Sequence, residues 1–136
     1  MDCVFCKIVA GTIPAVKVHE DAETIAIMDI NPLTPGHLLV VPKTHVETLF
    51  EADEALVAAV ARVSTRIAKS LRKSLGIEAL NLLQANGAAA FQSVPHLHFH
   101  LIPRRPDDGA GFDWRGIPGK MEEIRRLGEL IKKGLG

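Results

Sequence analysis

Tyrosine is absent from this chain, and tryptophan occurs once beside five phenylalanines. With so few large rings, no stacking platform for single-stranded nucleic acid is expected. An excess of charge of one sign is missing as well. Sixteen Lys plus Arg meet 16 Asp plus Glu, a formal net charge of +0. Nucleic-acid binders usually carry a basic excess, so none is expected as a partner. Apolar runs are short and broken by Pro, Gly or charge, so no transmembrane helix and no membrane partner are expected. The opening residues, Met1 to Cys6, show no basic segment and no long apolar run, which argues against a signal peptide. The expected compartment is the cytoplasm. There the only two cysteines, Cys3 and Cys6, are not expected to form a structural disulfide.

The remaining composition is that of a single globular unit. The chain has 136 residues, 47% of them hydrophobic and 24% charged, enough for one domain over 1–136 with a real core. Phe5, Ile8 and Val9 lie at helical spacing in a segment that Gly11 and Pro14 close. Residues 16–20 and 24–29 read as two strands of a hairpin around Asp21 and Ala22. Two prolines and a glycine make residues 31–36 a rigid loop. Residues 37–42 read as a buried strand stopped by Pro42. From Asp53 to Leu75, the stripe Leu56, Val60, Val63, Ile67 and Leu71 marks a long helix. Acidic residues stand at its start, basic ones near its end, and Gly76 is a fitting C-cap. Residues 79–83 and 96–102 read as two more strands, and 121–133 as a short C-terminal helix. Three strands in succession before the long helix argue against a βαβ repeat. The expected fold is α+β, with a mostly antiparallel five-stranded sheet.

His96, His98 and His100 alternate along the last of these strands. A period of two puts all three imidazoles on one face, ~6.6 Å apart, and sends Leu97, Phe99 and Leu101 to the other, under the long helix. Aligned imidazoles suit two kinds of chemistry. They can bind a metal, as in all-β barrels. Alternatively, one can attack phosphorus while its neighbours fix its tautomer and hold phosphate oxygens. The barrel requires an all-β chain, which the long helix contradicts, and no carboxylate follows the triplet before Asp107. The nucleophile reading is preferred. Cys3-x-x-Cys6 is, by spacing, half a zinc site, a redox pair or two inert thiols. A thioredoxin-like pair should follow a strand, and none precedes Cys3.

His96-Leu97-His98-Phe99-His100-Leu101-Ile102 resembles the histidine-triad signature of the HIT superfamily. Residues 29–32, 35–45 and Gln92-Ser93-Val94 resemble family segments in the family's order. The stretch from Cys3 to Ile8 is similar to the start of Hint-like bacterial and archaeal members. The resemblance covers nearly all of residues 3–103, with 104–136 less diagnostic.

The resemblance implies a nucleotide hydrolase or transferase. His98 would attack the α-phosphate of an adenosine phosphoramidate or a diadenosine polyphosphate, and water would release AMP from a nucleotidyl-histidine intermediate. His100 would bind or orient the phosphate, and His96 completes the triad. Gln92 and Ser93 would donate to phosphate oxygens. Asp29 takes the ribose-binding position, although it also suits a turn cap before Asn31-Pro32. Val4, Phe5, Ile8, Ile27 and Ile30 match positions that wall the base, although as bare sequence they also read as core. Asn86 matches a site-lining position, and Asn86-Gly87 also reads as a turn. Phe91 stands where the family commonly has glycine. His37 is read as structural and His19 as surface.

In members with the cysteine pair, a structural zinc joins it to two histidines, which match His45 and His96 here. No metal is required for the chemical step. A homodimer is implied, with the long helix as a contact. Two other readings are a purine-nucleotide-binding regulator with incidental hydrolysis, and an enzyme with metal on His98 and His100.

Overall fold

The computed structural model describes residues 2–112 and 115–135. A short helix α1 (Val4–Val9) precedes a meander of three strands, β1 (Lys17–Glu20), β2 (Thr24–Met28) and β3 (Leu38–Pro42). The long helix α2 (Glu54–Leu75) then crosses the sheet to β4 (Ala79–Gln84). A 3-10 turn at Ala88–Ala90 leads to β5 (Phe99–Arg104), and helix α3 (Met121–Leu135) follows. The strand order is β1-β2-β3-β5-β4, and every neighbouring pair is antiparallel. The α+β fold read from the sequence is therefore the one observed, with the sheet antiparallel throughout.

The pleat sorts the core into two layers. In β3, Leu38 and Val40 face α2, where they meet Val60, Val63, Ile67 and Leu71. Their neighbours Leu39 and Val41 turn to the opposite face and pack with Phe5 and Ile8 of α1. Ala26 joins the first layer, and Ile25 and Ile27 the second. Leu97, Phe99 and Leu101 lie in the α2 layer, as their alternation predicts. The interleaved histidines are thereby sent to the α1 face.

Helix α2 ends where Gly76 adopts φ 64° and returns its N–H to Arg72 O. Gly36 (φ 94°) sits where an added Cβ would lie 2.7 Å from Leu75 Cδ1 and 3.1 Å from Pro103 Cγ. Its positive φ and the close approach of this loop to the end of α2 and to β5 both favour a residue without a side chain. Thr34 Oγ1 ties the same loop down with a buried hydrogen bond to Pro103 O at 2.7 Å.

Both bounds of the last strand move. Residues 96–102 read as a strand from sequence, but β5 begins at Phe99 and runs through Pro103 to Arg104. Upstream of it, His96 N–H is spent on Val94 O (2.8 Å) and Leu97 N–H on Val46 O (2.8 Å), so the backbone follows the 42–46 segment instead of the ladder. The C-terminal helix runs to Leu135, and none of its described residues is buried. Among the described residues, no helix is long and apolar enough to cross a membrane.

Candidate active site

His100 of β5, His96 and His98 just before that strand, and His37 just before β3 lie in one row on the α1 face of the sheet, and backbone groups set the tautomers of three of them. A carbonyl only accepts and a backbone N–H only donates, so each assignment is free of the usual imidazole ambiguity. His98 Nδ1 lies 2.7 Å from the His96 carbonyl oxygen. Its ring proton is therefore on Nδ1, and the lone pair is on Nε2. His96 Nε2 donates to Pro42 O at 2.8 Å, which leaves its lone pair on Nδ1. His37 Nδ1 accepts from Leu33 N–H at 2.9 Å, so its proton is on Nε2.

That last proton orders the fourth ring. His37 Nε2 is 3.0 Å from His100 Nδ1 and 3.4 Å from Asp29 Oδ2. His100 Nδ1 accepts from it, so neutral His100 carries its own proton on Nε2. The rings of His98 and His100 stand edge to face, with centroids 4.7 Å apart. A ring nitrogen with a free lone pair and a ring N–H donor thus sit on neighbouring rings.

Burial lowers the affinity of these rings for protons. His98 is held below the ordinary imidazole range chiefly by desolvation. His37 shifts in the same direction for the same reason. His100 falls to about 4, through burial first and then the neighbouring His98 and His37. All three are neutral at pH 7, the state that an attacking imidazole requires.

Asp29, His37 and His100 also place ligand atoms close enough to hold a cation. The Leu33 N–H bond argues against one. A metal on His37 Nε2, with Nδ1 already accepting, would require the fully deprotonated imidazolate. This trio is a hydrogen-bond relay, which is contrary to an enzyme with metal on His100.

A second cluster lies behind the triad. The ligand atoms of Cys3, Cys6, His45 and His96 all fall within 4.8 Å of one another. Cys3 Sγ is 3.2 Å and Cys6 Sγ 3.7 Å from His96 Nδ1. His45 Nδ1 is 3.3 Å from Cys6 Sγ and 3.1 Å from His96 Nδ1. Tetrahedral zinc with ordinary bond lengths would set N···N near about 3.3 Å and S···N near about 3.5 Å. The donor chemistry fits too. His96 is 0% exposed, its proton is committed to Pro42 O, and its lone pair faces two thiols and another ring nitrogen. Short of a metal, burial and then the Cys3 side chain push the Cys6 thiol up.

The other residues singled out in the sequence divide. Phe5, Ile8 and Ile27 are buried together on the histidine face. Phe5 touches the His98 ring edge-on, with centroids 5.0 Å apart. Val4 is exposed, and Ile30, at 85% exposure, stands outside this packed layer. Asp29 does cap its turn, accepting from Asn31 N–H at 2.8 Å with Oδ1, while Oδ2 faces His37. Ser93 is exposed.

Gln92 is not the free donor expected. Its amide nitrogen gives to Glu47 O (2.7 Å) and Val94 O (3.0 Å), and its oxygen accepts from Gly87 N–H (2.7 Å). Asn86 is likewise engaged, accepting from Leu49 N–H at 2.6 Å and exchanging hydrogen bonds with Gln84. Both amides brace the β4–β5 connection. His37, read as structural, lies within hydrogen-bond distance of His100 and Asp29. The signal was its place opposite Asp29 across the rigid 31–36 loop, but the deciding group, Leu33 N–H, has no sequence signature.

Comparison with known proteins places this geometry. The HIT domain model matches residues 10–107. The chain is 42% identical over 132 residues to the adenosine 5'-monophosphoramidase of Schizosaccharomyces pombe, covering 96% of each protein. It superposes on the crystal structure of a HIT family member from Bacillus subtilis with a TM-score of 0.92, at 40% identity over 98% of this chain and 96% of that one. A zinc-bound histidine triad family protein from Mycobacterium smegmatis matches with a TM-score of 0.78 and 42% identity, over 92% of this chain and 89% of that one. The chain belongs to the HIT domain family.

Proposed function

We propose that this protein is a nucleoside phosphoramidase that cleaves adenosine 5'-phosphoramidates, or related diadenosine polyphosphates, to release AMP. The observation that carries the reading is the His98 tautomer: with Nδ1–H committed to His96 O, the Nε2 lone pair is free for phosphorus. The monophosphoramidase activity named for the fission-yeast relative supports the choice of substrate.

In this mechanism, His98 Nε2 attacks the α-phosphorus of a substrate protonated on its P–N nitrogen, and that bond breaks to release the neutral amine; the proton lost by the water of the second step restores the balance. Positive charge develops on the imidazole, and the Nδ1–H···O=C bond stabilises it. His100 Nε2–H donates to a phosphate oxygen, where charge grows in the transition state. Ser93 adds a hydroxyl donor. Water then cleaves the P–Nε2 bond. In sum one water is consumed, its proton ending on the amine and its hydroxyl on phosphorus. Asp29 Oδ2 receives ribose hydroxyls, and Phe5, Ile8 and Ile27, with Val4 and Ile30 at the edge, wall the base. No step uses a metal.

Cys3, Cys6, His45 and His96 would hold a zinc ion, which supplies a closed structural cross-link. A cytoplasmic location accords with Cys3 and Cys6 serving as metal ligands in place of a disulfide. A homodimer is supported by two uncovered features. Strand β4 is an edge of the sheet with Leu82 exposed, and α3 shows Ile124, Leu127 and Ile131 to solvent.

The test is steady-state AMP release from adenosine 5'-phosphoramidate, with and without EDTA in the assay. Release that EDTA leaves unchanged over the minutes of the assay, while the closed site still holds its zinc by metal analysis, is expected. Tight AMP binding without turnover would replace the enzyme by a purine-nucleotide-binding regulator.

A further inference from the structure

The Cys/His cluster and the triad share one residue, and that residue touches the nucleophile. His96 gives its ring to the cluster and its backbone carbonyl to His98 Nδ1, at 2.7 Å. The ring is gripped on both sides: Nε2–H holds Pro42 O at 2.8 Å, and Nδ1 faces Cys3, Cys6 and His45. Its backbone cannot shift without moving one grip or the other.

A second route runs through α1. Cys3 is the N-cap of this helix, with Sγ accepting from Cys6 N–H at 3.4 Å. The helix has six residues, too few to persist alone in water. The cluster therefore fastens it at its first turn. It carries Phe5, whose ring lies edge-on to His96 (centroids 5.7 Å apart) and to His98 (5.0 Å). Phe5 thus shields the Nδ1–H···O=C bond from water, which would otherwise compete for that proton.

We propose that the Cys3–Cys6–His45–His96 cluster is a positioning device for His98: filled by a metal, it fixes the carbonyl and the ring that hold the nucleophile in its Nδ1–H tautomer. His45 is then a positioning residue, remote from the reacting atoms, that acts on turnover through His96. The inference rests on the proposed nucleophilic role of His98, but its primary readout does not require activity.

The experiment records His98 ring-nitrogen resonances in zinc-loaded and zinc-stripped protein without nucleotide, and in His45→Asn and His45→Cys. Zinc content, circular dichroism and turnover of adenosine 5'-phosphoramidate accompany them. Zinc-loaded protein is expected to show the Nδ1–H form alone. Stripped protein and His45→Asn are expected to stay folded, to mix both tautomers, and to lose roughly ten- to a hundredfold in kcat with KM within about twofold. His45→Cys, which supplies a thiolate instead, should keep the metal, the tautomer and kcat. A stripped, folded protein that retains the Nδ1–H form overturns the proposal. So does loss of the whole fold on stripping, which would make the cluster a folding staple. If loaded protein shows the expected tautomers but no turnover, the activity reading fails and the positioning stands.

Discussion

Leu33 and His37 are joined by a single backbone-to-ring hydrogen bond, Leu33 N–H to Nδ1 at 2.9 Å, and it sets the direction of the whole relay. With Nδ1 occupied as an acceptor, His37 can only donate from Nε2, whose nearer acceptor is His100 Nδ1 at 3.0 Å against 3.4 Å for Asp29 Oδ2, and His100 then donates from its own Nε2. The rigid 31–36 loop between two prolines thereby decides which hydrogen a phosphate oxygen meets.

Removing His37 should uncouple this arrangement. His37→Ala leaves His100 Nδ1 without its donor and lets the proton move to that nitrogen, away from the substrate. The expected result is a fall of about tenfold to a thousandfold in kcat/KM for adenosine 5'-phosphoramidate, the range of a lost donor to developing charge. A purely structural His37 would instead lower Tm and leave the kcat of the folded fraction unchanged.

The same burial makes stability depend on pH. Folded His37, His98 and His100 bind protons less readily than the unfolded chain, whose imidazoles titrate near about 6.5. Below that pH the unfolded state takes up more protons, so stability falls as pH drops. For His100 the fall continues to about 4 and then flattens. Tm measured between pH 7 and 4 should decline less steeply in His100→Gln than in the parent. Metal loss is common to both proteins and cannot produce that difference. Turnover should keep its pH 7 rate down to below the ordinary imidazole range, because protonation of His98 is what stops it.

Phe91 carries strain with no packing return. It has φ 64° and ψ 31°, a left-handed conformation, and it is 90% exposed. For a residue with a Cβ this costs about 1–2 kcal/mol. Phe91→Gly removes that cost but gives the unfolded chain freedom worth about 0.5–1 kcal/mol. The balance favours the variant, and chemical denaturation should show a gain of about 0.5–1 kcal/mol. A loss would show that Phe91 makes stabilising contacts.

Most of the architecture was legible because it follows from periodicity. The stripe from Val60 to Leu71 marked α2, and the alternation from His96 to Leu101 sorted imidazoles from core side chains. The four members of the Cys/His cluster came from the family resemblance, and the structure brings them together. What sequence did not show lies in the backbone. The start of β5 is set by carbonyls of Val94 and Val46, the His37 tautomer by Leu33 N–H, and the employment of Gln92 and Asn86 by main-chain groups of residues 47, 49, 87 and 94. Side-chain identity identifies a donor, but only the fold shows whether that donor is already engaged.

The most direct test of the account uses His98→Gly with two substrates. If His98 Nε2 bonds to phosphorus, the variant should lose at least about a thousandfold in AMP release from adenosine 5'-phosphoramidate. It should still hydrolyse adenosine 5'-phosphorimidazolide, whose own imidazole takes the place of the missing ring. Near-parental release from the phosphoramidate by His98→Gly would contradict the nucleophile assignment and the mechanism built on it.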